Sequence, residues 1–514
     1  MKRLIRFGLL LLVLFATVFL IFSYTSATFK NILNSGDRMV KYNSDQRLFP
    51  ETKDISENVY LIKAAYNGQN RIEAEMELTY INKTGAVLKE LYFHLYPNYF
   101  SSREKLPFFK EHLDKIYPNG FHPGRAQISE VKQDGRPSDW ESLEDSRIVK
   151  IPLERPLNPG ETKNIYIKFN LVVPEAKYRF GYQKTGDNIT VSLGNWYPIL
   201  AVYKDEHWHL DKYHGIGDPF YSEISDYTVE FTVPKGFTVA ASGILRGEYA
   251  EDSTVTYVFS AEKVRDFALS VSNNYETVDD MVDGTRIISY FYPRDKKGGM
   301  QALDIAKHAV AIFNEYFGKY PYAELRLAEA NFYFGGMEYP TFIMIDDRKY
   351  REPLLSNTSF ERTVAHEVAH QWWYGVVGND EVNEPWLDEG LAQFSSQIYF
   401  EKRYGEAGRE AYYNNQIKPF LNTIKKSKKS ILDPLFSFSN NTEYYSIIYV
   451  KGAMFYEELK AKIGERDLMD FLKSYFETYK YKNVSVDEFV RFLKSKNYPG
   501  LDETFYNKWL SKVK

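Results

Sequence analysis

His366-Glu367-Val368-Ala369-His370, with the stretch Asn383-Glu-Pro-Trp-Leu-Asp-Glu-Gly-Leu-Ala-Gln393 that follows it, decides how the rest of this 514-residue chain is read. The two histidines stand one helical turn apart, about 40° around the axis, so both imidazoles can face one ion. Neutral imidazoles at this spacing suit zinc. Ala365, Val368, Ala369 and Trp372 recur at i, i+3, i+4 and i+7, the apolar stripe that seats such a helix in a core. A catalytic zinc site takes three protein ligands and leaves a position for water, so a further ligand is expected from a second helix facing the first. Glu389 comes after eighteen intervening residues, in a segment where Pro385 suits a first helical turn. Glu367 points about 100° away from His366 on the helix, so it can serve as a general base for water without joining the ligands.

The pattern His-Glu-x-x-His, eighteen residues, then Glu within Trp-Leu-Asp-Glu-Gly resembles the membrane alanyl aminopeptidase and leukotriene hydrolase family of zinc peptidases. That resemblance implies that His366, His370 and Glu389 hold one zinc ion. Tyr449-Val450-Lys451-Gly452 resembles the family's Tyr-x-Lys-Gly segment, whose tyrosine stabilises the oxyanion of acyl transfer. Tyr444 and Tyr445 lie close by, so a packing role for Tyr449 stays open. Phe334-Gly-Gly-Met-Glu-Tyr-Pro340 resembles the family's Gly-x-Met-Glu-Asn exopeptidase motif. By that likeness Gly335, Gly336 and Met337 meet the substrate backbone, and Glu338 holds its α-ammonium. The alternative for Glu338 is a loop carboxylate paired with a structural arginine.

The resemblance extends over nearly everything after the first 30 residues, through Leu91-Tyr-Phe-His-Leu-Tyr-Pro97, Asp266-Phe-Ala-Leu269 and Tyr316-Phe-Gly-Lys-Tyr-Pro-Tyr322. There are three departures. Tyr339 stands where the motif has asparagine. The family's glutamine-containing motif is not recognisable around Gly194-Asn-Trp-Tyr-Pro198 and Asp218-Pro-Phe-Tyr221. The family's large carboxy-terminal helical domain has no counterpart here, from which a more open active site is expected.

Lys2, Arg3 and Arg6 precede an uncharged run from Phe7 to Phe22. Sixteen helical residues span about 24 Å, slightly short of a ~30 Å hydrocarbon core. Residues 1–30 therefore read as a transmembrane anchor or, with Thr25-Ser26-Ala27 as a cleavage site, a signal sequence. Either reading places the catalytic part outside the cytoplasm, held at the membrane or secreted. Residues 31–55 read as a linker. Over 56–278 apolar residues alternate, as in Arg71–Tyr80 and Tyr227–Val233, and predict an amino-terminal antiparallel β domain. From 279 to 514 the period approaches 3.6, predicting helices over Met300–Tyr316 and Thr358–Val377 and a strand over Leu325–Phe334. The family's fold, a β saddle-like domain before a mainly helical thermolysin-like α+β catalytic domain, agrees with that change.

The net charge of −4 supplies no basic field, so nucleic acid is not an expected partner. Cysteine is absent, which excludes thiolate ligands and disulfides. The expected function is zinc-dependent removal of amino-terminal residues from peptides. A thermolysin-like endopeptidase and an inactive membrane-tethered binding protein are the alternatives, and the oligomeric state is open.

Overall fold

The computed structural model describes residues 56–351 and 358–511; the expected anchor or signal sequence and linker, residues 1–55, lie outside the described residues. Among the described residues, no helix is long and apolar enough to cross a membrane.

The strand Arg71–Ile81 shows how period-two patterning builds the first half. Ile72, Ala74, Met76, Leu78 and Tyr80 are buried, while the residues between them are more exposed. It lies inside an eight-stranded sheet, paired on one side with Asn58–Tyr66 and on the other with Thr162–Val172. The sheet is antiparallel except at one seam. There Asn58–Tyr66 runs parallel to Ser225–Pro234, with Asn58 opposite Ser225 and Ala65 opposite Thr232. The chain between these strands is long enough to make the crossover that parallel pairing needs, which a hairpin reading of adjacent strands does not foresee. Two four-stranded sheets and a two-stranded hairpin complete this half. Aromatic packing fills the core: Tyr60 stacks on Tyr227 with ring centres 4.8 Å apart, and Tyr197 donates to the Tyr227 hydroxyl at 2.9 Å. Much of the tyrosine content is thus interior packing.

The second half is a five-stranded sheet covered by helices. Its order is Glu276–Val282, Thr285–Phe291, Glu324–Ala330, Phe342–Asp346 and, at the edge, Gly336–Met337. The two central pairings are parallel, and the edge strand is antiparallel to its neighbour. The helix Lys296–Phe317 buries Ala302, Ala306, Val310 and Phe313, as its 3.6-residue period predicts.

Two elements end earlier than the sequence reading has them. The strand expected to reach Phe334 stops at Ala330, because Phe332 and Phe334 leave the sheet and stack on each other at 4.7 Å. The helix expected to reach Val377 stops at Ala369. The backbone reverses there through Tyr374, at φ 131°, and the Gly375 N–H donates to the His370 carbonyl at 2.8 Å. This reversal turns the Trp373 carbonyl back to His370, with consequences for the site.

Candidate metal centre

The helix Thr358–Ala369 carries His366 and Glu367, and His370 follows in the turn that ends it. Trp386–Tyr412 forms the facing helix, with Pro385 at its amino-terminal cap as the sequence suggests. His366 Nε2 lies 3.1 Å from Glu389 Oε2, His370 Nε2 lies 3.2 Å from the same oxygen, and the two nitrogens are 3.1 Å apart. Ligands about 2.0–2.1 Å from a tetrahedral zinc are separated by roughly 3.3 Å, so this near-equilateral triangle is close to one face of such a site. His370 Nδ1 donates to the Trp373 carbonyl at 3.0 Å, which leaves its Nε2 lone pair facing the other two ligand atoms. The donor set, two imidazoles and a carboxylate, fits one zinc ion.

Electrostatics agree. Burial lowers the His366 imidazole to about 4, so it is neutral and has a lone pair to give. Burial also pushes His370 down, but Glu338 and Glu389 together outweigh it and raise that imidazole well above its ordinary value. The carboxylates that favour a proton there equally favour a cation between the rings. Glu389 is held near 2: burial raises it, and His370 with His366 more than reverses that.

Tyr449 sits in a wide helical turn, Tyr445–Lys451, just before the helix Gly452–Ile463. Its ring stacks on His366 at 5.6 Å and its hydroxyl donates to Glu389 Oε1. Two glycines bring the Tyr449 and Glu389 backbones this close. A Cβ built at Gly452 would lie 2.9 Å from the Gly390 Cα, and one at Gly390 3.0 Å from the Gly452 Cα, so a side chain at either position would push the two backbones apart.

Gly335, Gly336 and Glu338 line the same cleft beside the edge strand, where Gly336 pairs with Ile345 and Met337 with Met344. A Cβ at Gly336 would sit 2.6 Å from Glu367 Oε1, so the glycine lets the edge strand pass directly over that carboxylate. Met337 is fully buried and faces the core. Glu338 is buried with its Oε1 unpartnered, 3.9 Å from His370 Nε2. No arginine pairs with it among the described residues. Burial raises Glu338 well above the usual carboxylate range and Glu367 to about 8, Asp218 and Glu389 adding to both shifts.

The departure at Tyr339 has a structural partner. The buried Tyr339 hydroxyl donates to Asn195 Oδ1 at 3.1 Å and occupies space within 1.7 Å of where a Gly194 Cβ would be. Gly194 and Asn195 belong to the stretch that lacks the family's glutamine motif. The two departures are therefore one interlocked contact between the halves.

The cleft, of about 310 Å³, is also lined by Asp218, Arg179 and Arg362, none of which was read from sequence as a site residue, although Asp218 opens one of the stretches searched for the glutamine motif. Asp218 comes from the β-rich half, within 4.8 Å of carboxylate oxygens of Glu338 and Glu389, and accepts from Arg179 Nη1 at 2.6 Å. It has no periodic relation to the motif that would have flagged it. Arg362 stands one turn before His366, the spacing that links His366 to His370, so helical geometry alone could have found it.

Residues 301–509 match the model of the peptidase family M1 domain. Aminopeptidase M1-B of Oryza sativa subsp. japonica is 27% identical over 216 residues, 40% of this chain and 25% of the relative. Probable aminopeptidase 2 of Sulfurisphaera tokodaii is 26% identical over 252 residues, 46% of this chain and 32% of the relative. The chain thus matches a quarter to a third of the length of these relatives. In fold, the M1 zinc metallopeptidase of Deinococcus radiodurans superposes with a TM-score of 0.63 at 18% identity, covering 88% of this chain and 94% of that one. A structure described as a two-domain M1 zinc metallopeptidase bound to L-arginine gives 0.62 at 16% identity, covering 87% and 92%. The β-rich half followed by a helical catalytic region is the arrangement of these two-domain structures. The part of the chain that holds the two histidines and Glu389 is a peptidase family M1 domain.

Proposed function

We propose that this chain hydrolyses the first peptide bond of peptides with a free amino terminus, His366, His370 and Glu389 holding one zinc ion. When bound, that ion would polarise the scissile carbonyl and make water a competent nucleophile near neutral pH. Glu367, on the same helix as His366 but turned away from the ligand atoms, takes the proton of the attacking water and returns it to the leaving amine. Tyr449 donates its hydroxyl hydrogen to the oxygen on which negative charge develops. The edge strand Gly335-Gly336-Met337 aligns the substrate backbone by strand addition. Glu338, with Asp218 beside it, accepts the substrate's α-ammonium in charge-assisted hydrogen bonds. That arrangement sets the cut one residue from the end, because a longer overhang places an uncharged amide against two carboxylates.

The single observation carrying this reading is Glu338: buried in the same cleft, with an Oε1 that takes part in no hydrogen bond and lies 3.9 Å from His370 Nε2. A neighbouring fold of 17% identity is described as bound to a Tyr-Ser-Ala substrate, which supports peptides as the substrate class here. The test is to incubate the zinc-loaded protein with a peptide and its amino-terminally acetylated form. Loss of single residues from the free peptide, with the acetylated one untouched, is expected. Equal cleavage of both, or internal fragments, would favour an endopeptidase instead.

A further inference from the structure

The cleft has charge at both ends. Along the helix that carries the motif, His370 lies towards Glu338, 3.9 Å away, while Arg362 stands on the opposite side of His366, one turn earlier. Among the described residues no carboxylate lies within ion-pair distance of Arg362. Its Nε is buried and unpartnered, and the guanidinium lines the cleft together with Thr363, Asn441 and Tyr445. A guanidinium without an acid, partly removed from water, is an unfavourable arrangement unless an anion comes to it. The other arginine of the cleft, Arg179, is already held by Asp218 at 2.6 Å.

Resting on the aminopeptidase reading, we infer that Arg362 binds the free carboxylate of a short peptide, so that the cleft selects substrates of two or three residues with both ends unblocked. The four-residue step from His366 back to Arg362 covers about 6 Å along the axis, and an arginine on a helix leans further towards the amino-terminal end. An extended peptide advances about 3.3–3.6 Å per residue. A carboxylate one or two residues beyond the scissile bond therefore falls in reach of Arg362 when the α-ammonium lies at Glu338. The planar guanidinium offers a carboxylate two parallel hydrogen bonds, whereas a terminal amide offers it one acceptor and no charge. In a peptide that continues, the same place meets a neutral peptide group.

The experiment measures binding and turnover of Ala-Ala-Ala and of its carboxy-terminal amide. In the Glu367→Gln background, where turnover is not expected to interfere, calorimetry should show the free acid binding about tenfold more tightly than the amide. With Glu367 present, the acid should be preferred by a similar factor in kcat/KM, expressed mainly in KM. Arg362→Ala should abolish the preference, and Arg362→Lys should keep part of it as a point charge. Acid and amide treated alike by the protein with Arg362 intact would overturn the inference, as would an acid preference that survives Arg362→Ala. Failure of the underlying reading looks different: the wild-type chain then leaves both peptides uncut, or cuts them equally well after amino-terminal acetylation.

Discussion

Within the site, each residue is distinguished by what surrounds its polar atoms. His366 and Glu367 are sequence neighbours, yet one shares an edge with Glu389 and the other lies beneath Gly336. This division of labour predicts that Glu367→Gln lowers kcat roughly a hundred- to ten-thousand-fold while zinc content stays at one per chain. Turnover assays paired with metal analysis check it, and an active variant would remove Glu367 from the proton path. The convergence of His366, His370 and Glu389 was legible because helical spacing fixes which side chains share a face, and because the eighteen-residue interval places Glu389 in a recognisable context. Asp218 and Arg179 were not legible. They arrive from the β-rich half, far from the motif in sequence, and only the fold brings them to Glu338.

For strands and helices, glycines and buried carboxyl groups set the tolerances. Gly336→Ala places a methyl group 2.6 Å from Glu367 Oε1. The Cδ and Cγ atoms of Glu367 lie within 2.8 Å as well, so the whole Glu367 side chain, rather than the backbone, has to turn aside. The expected result is a fall in kcat of about a hundredfold with the melting temperature nearly unchanged. Steady-state kinetics and a thermal melt separate this from simple unfolding.

On the strand Glu324–Ala330, two places in from the Gly336–Met337 edge, burial raises the Glu329 carboxyl from 4.5 to about 10, and a hydrogen bond to Asp295 adds to the shift. The folded state therefore keeps a proton that the unfolded state releases above about pH 4.5, and stability contributed by this group falls as pH rises from there towards 10. Glu329→Gln, whose amide can donate to Asp295 at any pH, should show a melting-temperature advantage over wild type that grows from pH 5 to pH 9. A difference independent of pH would contradict the buried-acid assignment. The ends of elements were read less well than their existence. The motif helix stops at Ala369 rather than Val377, where the chain reverses through Tyr374 and the Trp373 carbonyl turns to His370, a feature that apolar periodicity does not register.

For the molecule as a whole, the halves are bound by a few buried polar residues rather than by apolar contact alone. Arg265, in the β-rich half, donates to the Tyr374 carbonyl at 2.5 Å and the Lys482 carbonyl at 2.8 Å, and Asp266 accepts from the Tyr374 hydroxyl at 2.6 Å. The two contacts with Tyr374 land on the reversal that follows His370, so the first half braces the loop whose Trp373 carbonyl orients that imidazole. Tyr339 against Gly194 is a second such tie. A β-rich half before a helical one could be read from the change of period, but these ties could not. The parallel seam between Asn58–Tyr66 and Ser225–Pro234 is equally a product of long-range pairing, which alternation within a strand leaves unspecified.

The central claim, that two imidazoles and the Glu389 carboxylate share one cation, is tested most directly by metal content after zinc reconstitution and desalting. Elemental analysis should find one zinc per wild-type chain and none, or a small fraction, in Glu389→Ala with its fold intact by circular dichroism. A wild-type chain that retains no zinc, or a Glu389→Ala chain that retains a full equivalent, would contradict it.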